Sequence, residues 1–300
     1  MIFNLSWSSK TGRHSLMLSP AWPAPAKLNL FLHITGQRSD GYHLLQTAFQ
    51  FIELADEIDF TILNSNKIER SSILEDVAAA DDLVVKAAHA LKEKTGCKLG
   101  VDIKVDKKIP TGGGLGGGSS DAATTLVALN ELWRCGLSVM ELANIGLSLG
   151  ADVPVFIHSH AAWAEGVGED LTPIEPEESV YLVVYPGCGV ATAKVFGADD
   201  LTRNTSTITI RDFLERGGIN DCESVVRKHY KEVANALDWL AEFAPARLTG
   251  TGACLFAPFP DLSAATAVKE QMPDNWQGYV VKGMNRSPLL ERLATEQSRA

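Results

Sequence analysis

The feature that most constrains the fold of this chain is a run of glycines that leads directly into a helical pattern. Six of the seven residues at positions 112–118 are glycine, and apolar residues then recur at helical spacing from Leu126 to Trp133. Three residues between them can cap the start of the helix: Ser119, Ser120 and Asp121. Such a loop points several backbone N–H groups and the positive end of a helix dipole at one place. We therefore expect it to bind phosphate.

Other interpretations of the loop fit its sequence less well. A Walker A loop requires a lysine after its second spaced glycine, but Gly112 and Gly117 are followed by a further glycine. A dinucleotide-binding fingerprint can be written with Gly112, Gly114 and Gly117, and Glu131 is then its acidic residue. Glu131 lies inside the predicted helix, however, and the preceding strand alternates where a dinucleotide-binding strand is uniformly apolar. A flexible linker is disfavoured because an amphipathic helix follows at once.

Residues 26–34 predict a β-strand with one apolar face. Apolar residues occupy every second position from Ala26 to Ile34, while Lys27 and Asn29 lie together on the other face. For an isolated strand we expect that polar face to be exposed to solvent. Further along, Asp152 stands between a helix end and an apolar segment, where an aspartate ordinarily marks a turn. It gains significance if it faces the glycine loop and Lys27.

Composition and charge exclude several classes of function. The 300 residues, 45% hydrophobic and 21% charged, are typical of a globular chain of about two domains. Lys and Arg number 27 against 37 Asp and Glu, and the net charge of -10 disfavours nucleic acid as a partner. No apolar run has the length of a membrane span, so no membrane partner is expected. The five scattered cysteines predict reduced thiols and a cytoplasmic protein.

The chain divides by pattern into three segments. Residues 1–20 are expected to be a disordered or extended N-terminal segment, residues 21–175 a first domain with the glycine loop, and residues 176–300 a second domain. Alternating strands and helices predict an α+β protein with antiparallel sheet. The patterns predict helices over 81–95, 220–243 and from Ser287, a capping box at Ser138 and Glu141, and strands at 99–106, 180–186, 247–259 and 278–283.

Three segments make the chain similar to a known family. They are AKLNLFLHITGQRSDGYH near the N terminus, PTGGGLGGGSSDAATTLVALN at the glycine loop and RLTGTGACLF in the second half. In this order and spacing they resemble the three motifs of the superfamily of galactokinase, homoserine kinase, mevalonate kinase and phosphomevalonate kinase. The resemblance covers residues 22–295. It implies a two-domain small-molecule kinase fold, with a ribosomal-protein-like N-terminal domain for ATP and catalysis and a ferredoxin-like C-terminal domain that completes the substrate site.

The resemblance implies an ATP-dependent kinase that phosphorylates the 2-hydroxyl of a cytidine-diphosphate-linked methylerythritol on the non-mevalonate route to isoprenoid precursors. Asp152 matches the family's catalytic aspartate, and Lys27 matches its partner lysine. His43 is implied to hydrogen-bond the cytosine edge, with Tyr42 stacked on one face of the base and Phe196 on the other. The other residues implied are Pro110, Thr111, Gly112, Gly113, Gly114, Leu115, Gly116, Gly117, Gly118, Ser119 and Ser120 for ATP, and Asn29, Gly250 and Thr251 for the substrate. Mg²⁺ is expected beside the phosphates, with Ser119 or Ser120 as a contact.

Two residues beside the expected phosphates depart from the family's pattern. Thr111 replaces the usual methionine, and Asp121 stands where asparagine is common. A carboxylate at position 121 can cap the helix, but it repels ATP unless it is turned away.

Two alternative functions remain at this point. A kinase of the same superfamily could act on a smaller alcohol such as mevalonate or homoserine, but the cytosine-reading segment speaks against it. A non-catalytic nucleotide-binding or RNA-binding module is the other alternative, and the net charge and the combination of Lys27 with Asp152 speak against it. A monomer or a weak homodimer is expected.

Overall fold

The computed structural model describes residues 15–71 and 82–298, which contain ten strands and ten helices. The strands are β1 (Ser15–Gln37), β2 (His43–Leu63), β3 (Ile68–Arg70), β4 (Gly100–Asp106), β5 (Ala162–Glu165), β6 (Asp170–Pro173), β7 (Val180–Tyr185), β8 (Arg247–Leu248), β9 (Leu255–Phe259) and β10 (Gln277–Met284). The helices are α1 (Leu83–Thr95), α2 (Gly117–Leu132), α3 (Val139–Leu149), α4 (Val153–His158), α5 (Thr192–Phe196), α6 (Ile210–Arg216), α7 (Glu223–His229), α8 (Lys231–Ala241), α9 (Leu262–Lys269) and α10 (Pro288–Gln297). None of these helices is both long and apolar enough to cross a bilayer.

The N-terminal half is built around the long antiparallel pair of β1 and β2. Their register runs from Ser15 opposite Leu63 to Gln37 opposite His43, with several bulges that let the two strands bend. The other edge of β2 pairs in turn with β5, β10 and β4, while β3 pairs with β4 and β6 with β5. The alternating pattern of residues 26–34 lies within β1, as predicted.

Both faces of that pattern are buried, although one was expected to be exposed. Lys27 is 3% exposed and Asn29 is 4% exposed. Segments distant in sequence lie against this stretch: the ammonium of Lys27 donates to the carbonyl of Gly114, and the backbone N–H of Asn29 donates to the hydroxyl of Thr249. The expectation of a solvated face is therefore wrong, because the glycine loop and a turn of the C-terminal half pack against this stretch of β1.

Helix α2 packs with α1, α3 and α4 in the N-terminal core, which also contains residues of β1, β2 and β4. Its N-cap is Gly116, with a φ of 74°, and no side chain caps the helix. The prediction that Ser119, Ser120 or Asp121 caps it is wrong, because all three lie within the helix. The capping box at the start of α3 is confirmed, since Ser138 and Glu141 bond each other's backbone N–H groups.

The C-terminal half is a four-stranded antiparallel sheet in the order β10, β7, β9, β8. Along the chain, strands and helices follow the β-α-β-β-α-β arrangement, which confirms the ferredoxin-like expectation. The helix predicted over residues 220–243 is in fact two helices, α7 and α8, separated at Tyr230. Both helices bury their apolar residues in the same core, so the periodicity continues across the break and does not reveal it.

The two halves share one sheet. β10 pairs with β7 along Gln277 to Lys282, and its last residues, Gly283 and Met284, pair with β2. The ten strands thereby form a single connected sheet. The boundary at residue 175 stays a prediction, because the two halves share this sheet and residues of both halves, such as Leu28 and Val183, pack in one apolar cluster.

Helix α10 returns from the C-terminal half to the N-terminal core. Leu289 is buried in that core, and the guanidinium of Arg292 lies 4.2 Å from the ring centroid of Trp22. Arg292 also donates a hydrogen bond to the hydroxyl of Ser19, in the stretch of β1 before residue 21. The described part of the expected N-terminal segment, residues 15–20, is therefore paired into the fold, while residues 1–14 lie outside the described residues.

Candidate active site

A cavity of about 1240 Å³ lies between residues of the two halves. Its walls come from β1, the turn between β1 and β2, the glycine loop, the start of α4, helix α5 and the turn before β9. Every site residue expected from the sequence lines this cavity except Ser120, which is completely buried. The fold thus brings together segments that are far apart in the sequence.

The glycine loop has its carbonyl groups bonded and its N–H groups free. The carbonyls of all five residues from 112 to 116 accept hydrogen bonds, among them those from the N–H groups of Ala253 and Cys254. Within the described part of the chain, no backbone N–H of residues 112–118 donates a hydrogen bond. Free N–H groups next to a helix N-terminus form a site for an anion. The loop is therefore held in place through its carbonyl groups, and its N–H groups remain available to a ligand.

Close packing explains two of the glycines. A Cβ at Gly114 would lie 2.5 Å from the carbonyl oxygen of Thr249, and a Cβ at Gly116 would lie 2.8 Å from the ring of Phe156 and 3.1 Å from Cε of Lys27. Both glycines also have positive φ values, near 75°. A side chain at either position would be strained and would displace a neighbour.

Lys27 lies under this loop at the end of a buried network. Its ammonium group donates hydrogen bonds to the amide oxygen of Asn29 and to the carbonyl of Gly114, the latter at 3.2 Å. The Asn29 amide donates to the hydroxyl of Thr47, which fixes its orientation. The ammonium also lies 5.2 Å from the ring centroid of Phe49. The lysine is therefore held in one position before any ligand arrives.

Among the ion pairs of the described residues, the carboxylate that pairs with the Lys27 ammonium is that of Asp152. Its Oδ2 lies 3.3 Å from Nζ of Lys27, and its side chain is 35% exposed whereas that of Lys27 is 4% exposed. Asp152 occupies the N-cap position of α4 but makes no capping hydrogen bond with its side chain. The carboxylate of Asp152 thus faces the cavity and Lys27. This is the arrangement under which the sequence analysis expected Asp152 to have a functional role.

The far end of the cavity is aromatic. Tyr42 follows the turn at Asp40 and is 64% exposed. The imidazole of His43 stacks on the ring of Phe196, with centroids 5.0 Å apart and planes at 29°. Arg203, which the sequence analysis did not select, donates from Nε to Nε2 of His43 at 3.0 Å. Burial, and then the charge of Arg203, lower the pKa of His43.

The turn before β9 closes the cavity from the C-terminal half. Asn220 donates hydrogen bonds of 2.8 Å to the carbonyls of Leu248 and Gly250 and so holds the turn. The hydroxyls of Thr251 and Thr192 are 2.9 Å apart. Gly250 and Thr251 thereby reach the cavity, as expected.

A second lysine, missed by the sequence analysis, lies below the start of α2. The ammonium of Lys107 bonds the carboxylates of Asp56 and Asp121, the latter at 2.7 Å. Asp56 is completely buried and also accepts from the backbone N–H groups of Lys108 and Ile109. Burial raises the pKa of Asp121 to about 7, although Lys107 opposes that shift. The two carboxylates raise the pKa of Lys107, against the effect of its own burial.

Comparison with known proteins decides the family. The model for the N-terminal domain of GHMP kinases matches residues 82–160, and the model for their C-terminal domain matches residues 201–278, together just over half of the chain. A relative from Alkalilimnicola ehrlichii, named 4-diphosphocytidyl-2-C-methyl-D-erythritol kinase, is 54% identical over 297 residues, which cover 99% of this chain and 98% of the relative. The chain belongs to the 4-diphosphocytidyl-2-C-methyl-D-erythritol kinase family. A further member of the family, from Nitrosococcus oceani, is 56% identical over 272 residues, 91% of this chain and 97% of that one.

Solved structures agree with membership of the 4-diphosphocytidyl-2-C-methyl-D-erythritol kinase family. A crystal structure of 4-(cytidine 5'-diphospho)-2C-methyl-D-erythritol kinase matches with a TM-score of 0.77 and 29% identity, over 89% of this chain and 99% of that chain. A mevalonate kinase matches with a TM-score of 0.65 and 15% identity, over 90% and 100%, which shows a common fold. The expected two-domain kinase fold is confirmed, and the chain is a kinase instead of the non-catalytic binding module considered above.

Proposed function

We propose that the chain transfers the γ-phosphoryl group of ATP to the 2-hydroxyl of 4-diphosphocytidyl-2-C-methyl-D-erythritol, forming the 2-phosphate and ADP on the non-mevalonate route to isoprenoid precursors. The observation that carries the proposal is that the glycine loop, the pair of Lys27 and Asp152, and His43 all line one cavity. Relatives that are 53% to 56% identical have this kinase name, which favours it over a kinase for mevalonate or homoserine.

Asp152 is the general base in this proposal. An aspartate carboxylate is ionised at neutral pH and can accept the proton of the 2-hydroxyl as the oxygen forms its bond to the γ-phosphorus of ATP. The bond from that phosphorus to the bridging oxygen of ADP breaks in the same transfer, and ADP leaves with the electron pair. The partial exposure of Asp152 toward the cavity supports this role, because the carboxylate must reach a substrate hydroxyl.

Lys27 positions the reacting groups. Its buried ammonium, fixed by Asn29 and Gly114, provides a positive charge beside Asp152 before substrates bind. Such a charge can orient the hydroxyl and offset negative charge on the phosphoryl group in transfer. Because the network around Lys27 is formed in advance, little reorganisation is needed at the moment of reaction.

The free N–H groups of the glycine loop are proposed to bind the ATP phosphates, which removes the need for a Walker lysine. Mg²⁺, when bound with the phosphates, neutralises part of their charge. It prefers oxygen ligands and is often held by only one or two protein groups. The described residues contain no cluster of three or more metal-ligating His, Cys, Asp or Glu side chains, but Ser119 lines the cavity and its hydroxyl would supply one oxygen ligand. Ser119 therefore fits a contact to the metal better than the buried Ser120.

The aromatic end of the cavity is proposed to hold the cytosine. A pyrimidine has two faces for stacking and an edge for hydrogen bonds, and Tyr42, Phe196 and His43 offer both kinds of contact.

Five free cysteines and the absence of any paired thiol among them support a cytoplasmic setting. A monomer or weak homodimer remains our proposal for the assembly.

The test is release of ADP from ATP by the purified chain, measured in a coupled assay. We expect turnover with 4-diphosphocytidyl-2-C-methyl-D-erythritol and none with mevalonate or homoserine at equal concentration. Cytidine 5'-diphosphate is expected to compete with the substrate and not with ATP. Turnover of mevalonate or homoserine in preference to the cytidyl substrate would overturn the proposal.

A further inference from the structure

Arg203 is bound by four neutral acceptors. Its Nε donates to Nε2 of His43, and its other nitrogens donate to backbone carbonyls at the end of α5 and just after it. These are the carbonyls of Leu201 at 3.1 Å, Phe196 at 3.0 Å and Ala198 at 2.7 Å. The guanidinium is therefore fixed in place, and none of these four bonds neutralises its charge.

This contact fixes the proton of the imidazole. A guanidinium N–H can only donate, so Nε2 of His43 must accept. In a neutral imidazole the accepting nitrogen carries no hydrogen, and the proton is then on Nδ1. A second proton on Nε2 would face the N–H of Arg203 and bring two positive charges together. His43 is thus held as a neutral ring whose remaining polar atom, Nδ1, is a donor.

We propose that Arg203 is a positioning residue that makes His43 select cytosine over uracil. The inference rests on the proposed function, in which His43 meets the edge of the base. N3 of cytosine has a lone pair and can accept from Nδ1–H, whereas N3 of uracil carries a hydrogen, and two N–H groups cannot bond each other. A histidine free to change its tautomer could accept from uracil through a bare Nδ1. Arg203 removes that possibility.

The same guanidinium also positions the stacking partner. A base bonded edge to edge with His43 lies close to the plane of the imidazole, and Phe196 is stacked on that plane. The backbone carbonyl of Phe196 is one of the acceptors of Arg203. Arg203 therefore connects the ring that bonds the base with a ring available to stack on it.

The binding test compares cytidine 5'-diphosphate with uridine 5'-diphosphate by calorimetry. We expect the native chain to prefer the cytidine nucleotide by about tenfold or more, since the wrong base would cover Nδ1–H of His43 and leave it unpaired. In R203Q the amide can donate or accept, so the preference should fall to about threefold or less. R203K keeps a charged donor and should retain most of the preference. R211Q, which changes a side chain that is 86% exposed on α6, is the matched control and should equal the native chain.

Nuclear magnetic resonance of the imidazole nitrogens gives an independent readout. In the native chain we expect the Nδ1–H tautomer for His43, with H43Q used to assign the signals. R203Q should shift the ring toward the Nε2–H tautomer that free histidine favours. A purely structural Arg203 would weaken both nucleotides equally and leave the tautomer unchanged.

Two results overturn the inference: an Nε2–H tautomer in the native chain, or an unchanged nucleotide preference in folded R203Q. The tautomer of the native chain tests the inference even if R203Q does not fold. Failure of the proposed function itself gives a different pattern, because the native chain would then bind both nucleotides weakly and would not turn over the cytidyl substrate.

Discussion

Two lysines line the same cavity in opposite electrostatic surroundings. Lys27 faces one carboxylate, Asp152, which is 35% exposed and 3.3 Å away. Lys107 bonds two buried carboxylates, Asp56 and Asp121, so its charge is neutralised within the protein. The difference is in how far the protein itself pairs each ammonium group. Lys27 is therefore the lysine that we propose acts on substrates, whereas Lys107 joins the strand region around Asp56 to the start of α2, below the glycine loop.

The largest expected effect follows from D152N. The amide cannot accept the hydroxyl proton, so turnover should fall by about 10³-fold, within the range found for general bases. ATP binding, which the proposal assigns to the loop, should remain. The measurements are coupled ADP release and calorimetry with ATP on the same preparation. Near-native turnover in D152N would remove Asp152 from the role of base.

The contrasting change at the other lysine is K107M. It leaves two carboxylates buried without their counter-charge, and the free energy of unfolding should fall by about 3 kcal/mol. Urea denaturation measures the loss. K104M is the control, because Lys104 is 66% exposed and 4.0 Å from Asp59, and it should change stability by less than about 0.5 kcal/mol. Equal stability of the two variants would contradict a structural role for Lys107.

Replacing Asp121 tests the cost of burying two carboxyl groups beside a single lysine. Its pKa is raised to about 7 in the folded chain by burial, so the folded state holds a proton that the unfolded state releases near pH 4. The contribution of Asp121 to the free energy of unfolding should therefore be fully present below about pH 4 and should decline as the pH rises toward 7. D121N has no carboxyl to titrate at this position, so its free energy of unfolding should exceed that of the native chain by about 2 kcal/mol at pH 8, with the difference shrinking at lower pH. Urea denaturation at several pH values checks this, and parallel pH profiles for the two proteins would refute it.

The smallest expected effects come from substitutions at two neighbouring glycines, Gly116 beside Lys27 and Gly117 beside Lys107. They test the different roles of the two lysines. G116A places a methyl group against Phe156 and Cε of Lys27 at a positive φ, so kcat/KM should fall by about tenfold. At Gly117, where φ is not positive, the added Cβ would meet Ile109 at 3.1 Å and Nζ of Lys107 at 3.4 Å. G117A should therefore change kcat/KM by less than about threefold. A larger loss in G117A than in G116A would reverse the assignment of the two lysines.

Sequence reasoning selected residues within continuous motifs, and the fold brings nearly all of them to one cavity. Lys107 was missed because its role depends on Asp56 and Asp121, which are 51 and 14 residues away, and no local pattern pairs them. Asp121 was considered as a helix cap or as a source of repulsion toward ATP. In the structure, its burial beside Lys107 decides whether the carboxyl is protonated. Arg203 likewise became visible only through its contact with His43, 160 residues distant.

The fold was predictable where local pattern and tertiary context agree. The strand of β4 and the capping box of α3 follow from alternation and spacing alone. The break at Tyr230 was not predictable, because α7 and α8 bury their apolar residues in one core and keep the helical period. The polar face of β1 was buried by the loop at Leu115 and the turn at Thr249, which only the folded chain brings near.

The position of α10 sets an order of events during synthesis. The N-terminal core needs Leu289 and the cover that Arg292 gives Trp22, yet these residues leave the ribosome after the whole C-terminal sheet. A domain that is first in the chain often folds first as it emerges. Here the first half can complete its core only after the last helix has been translated and has docked onto β1.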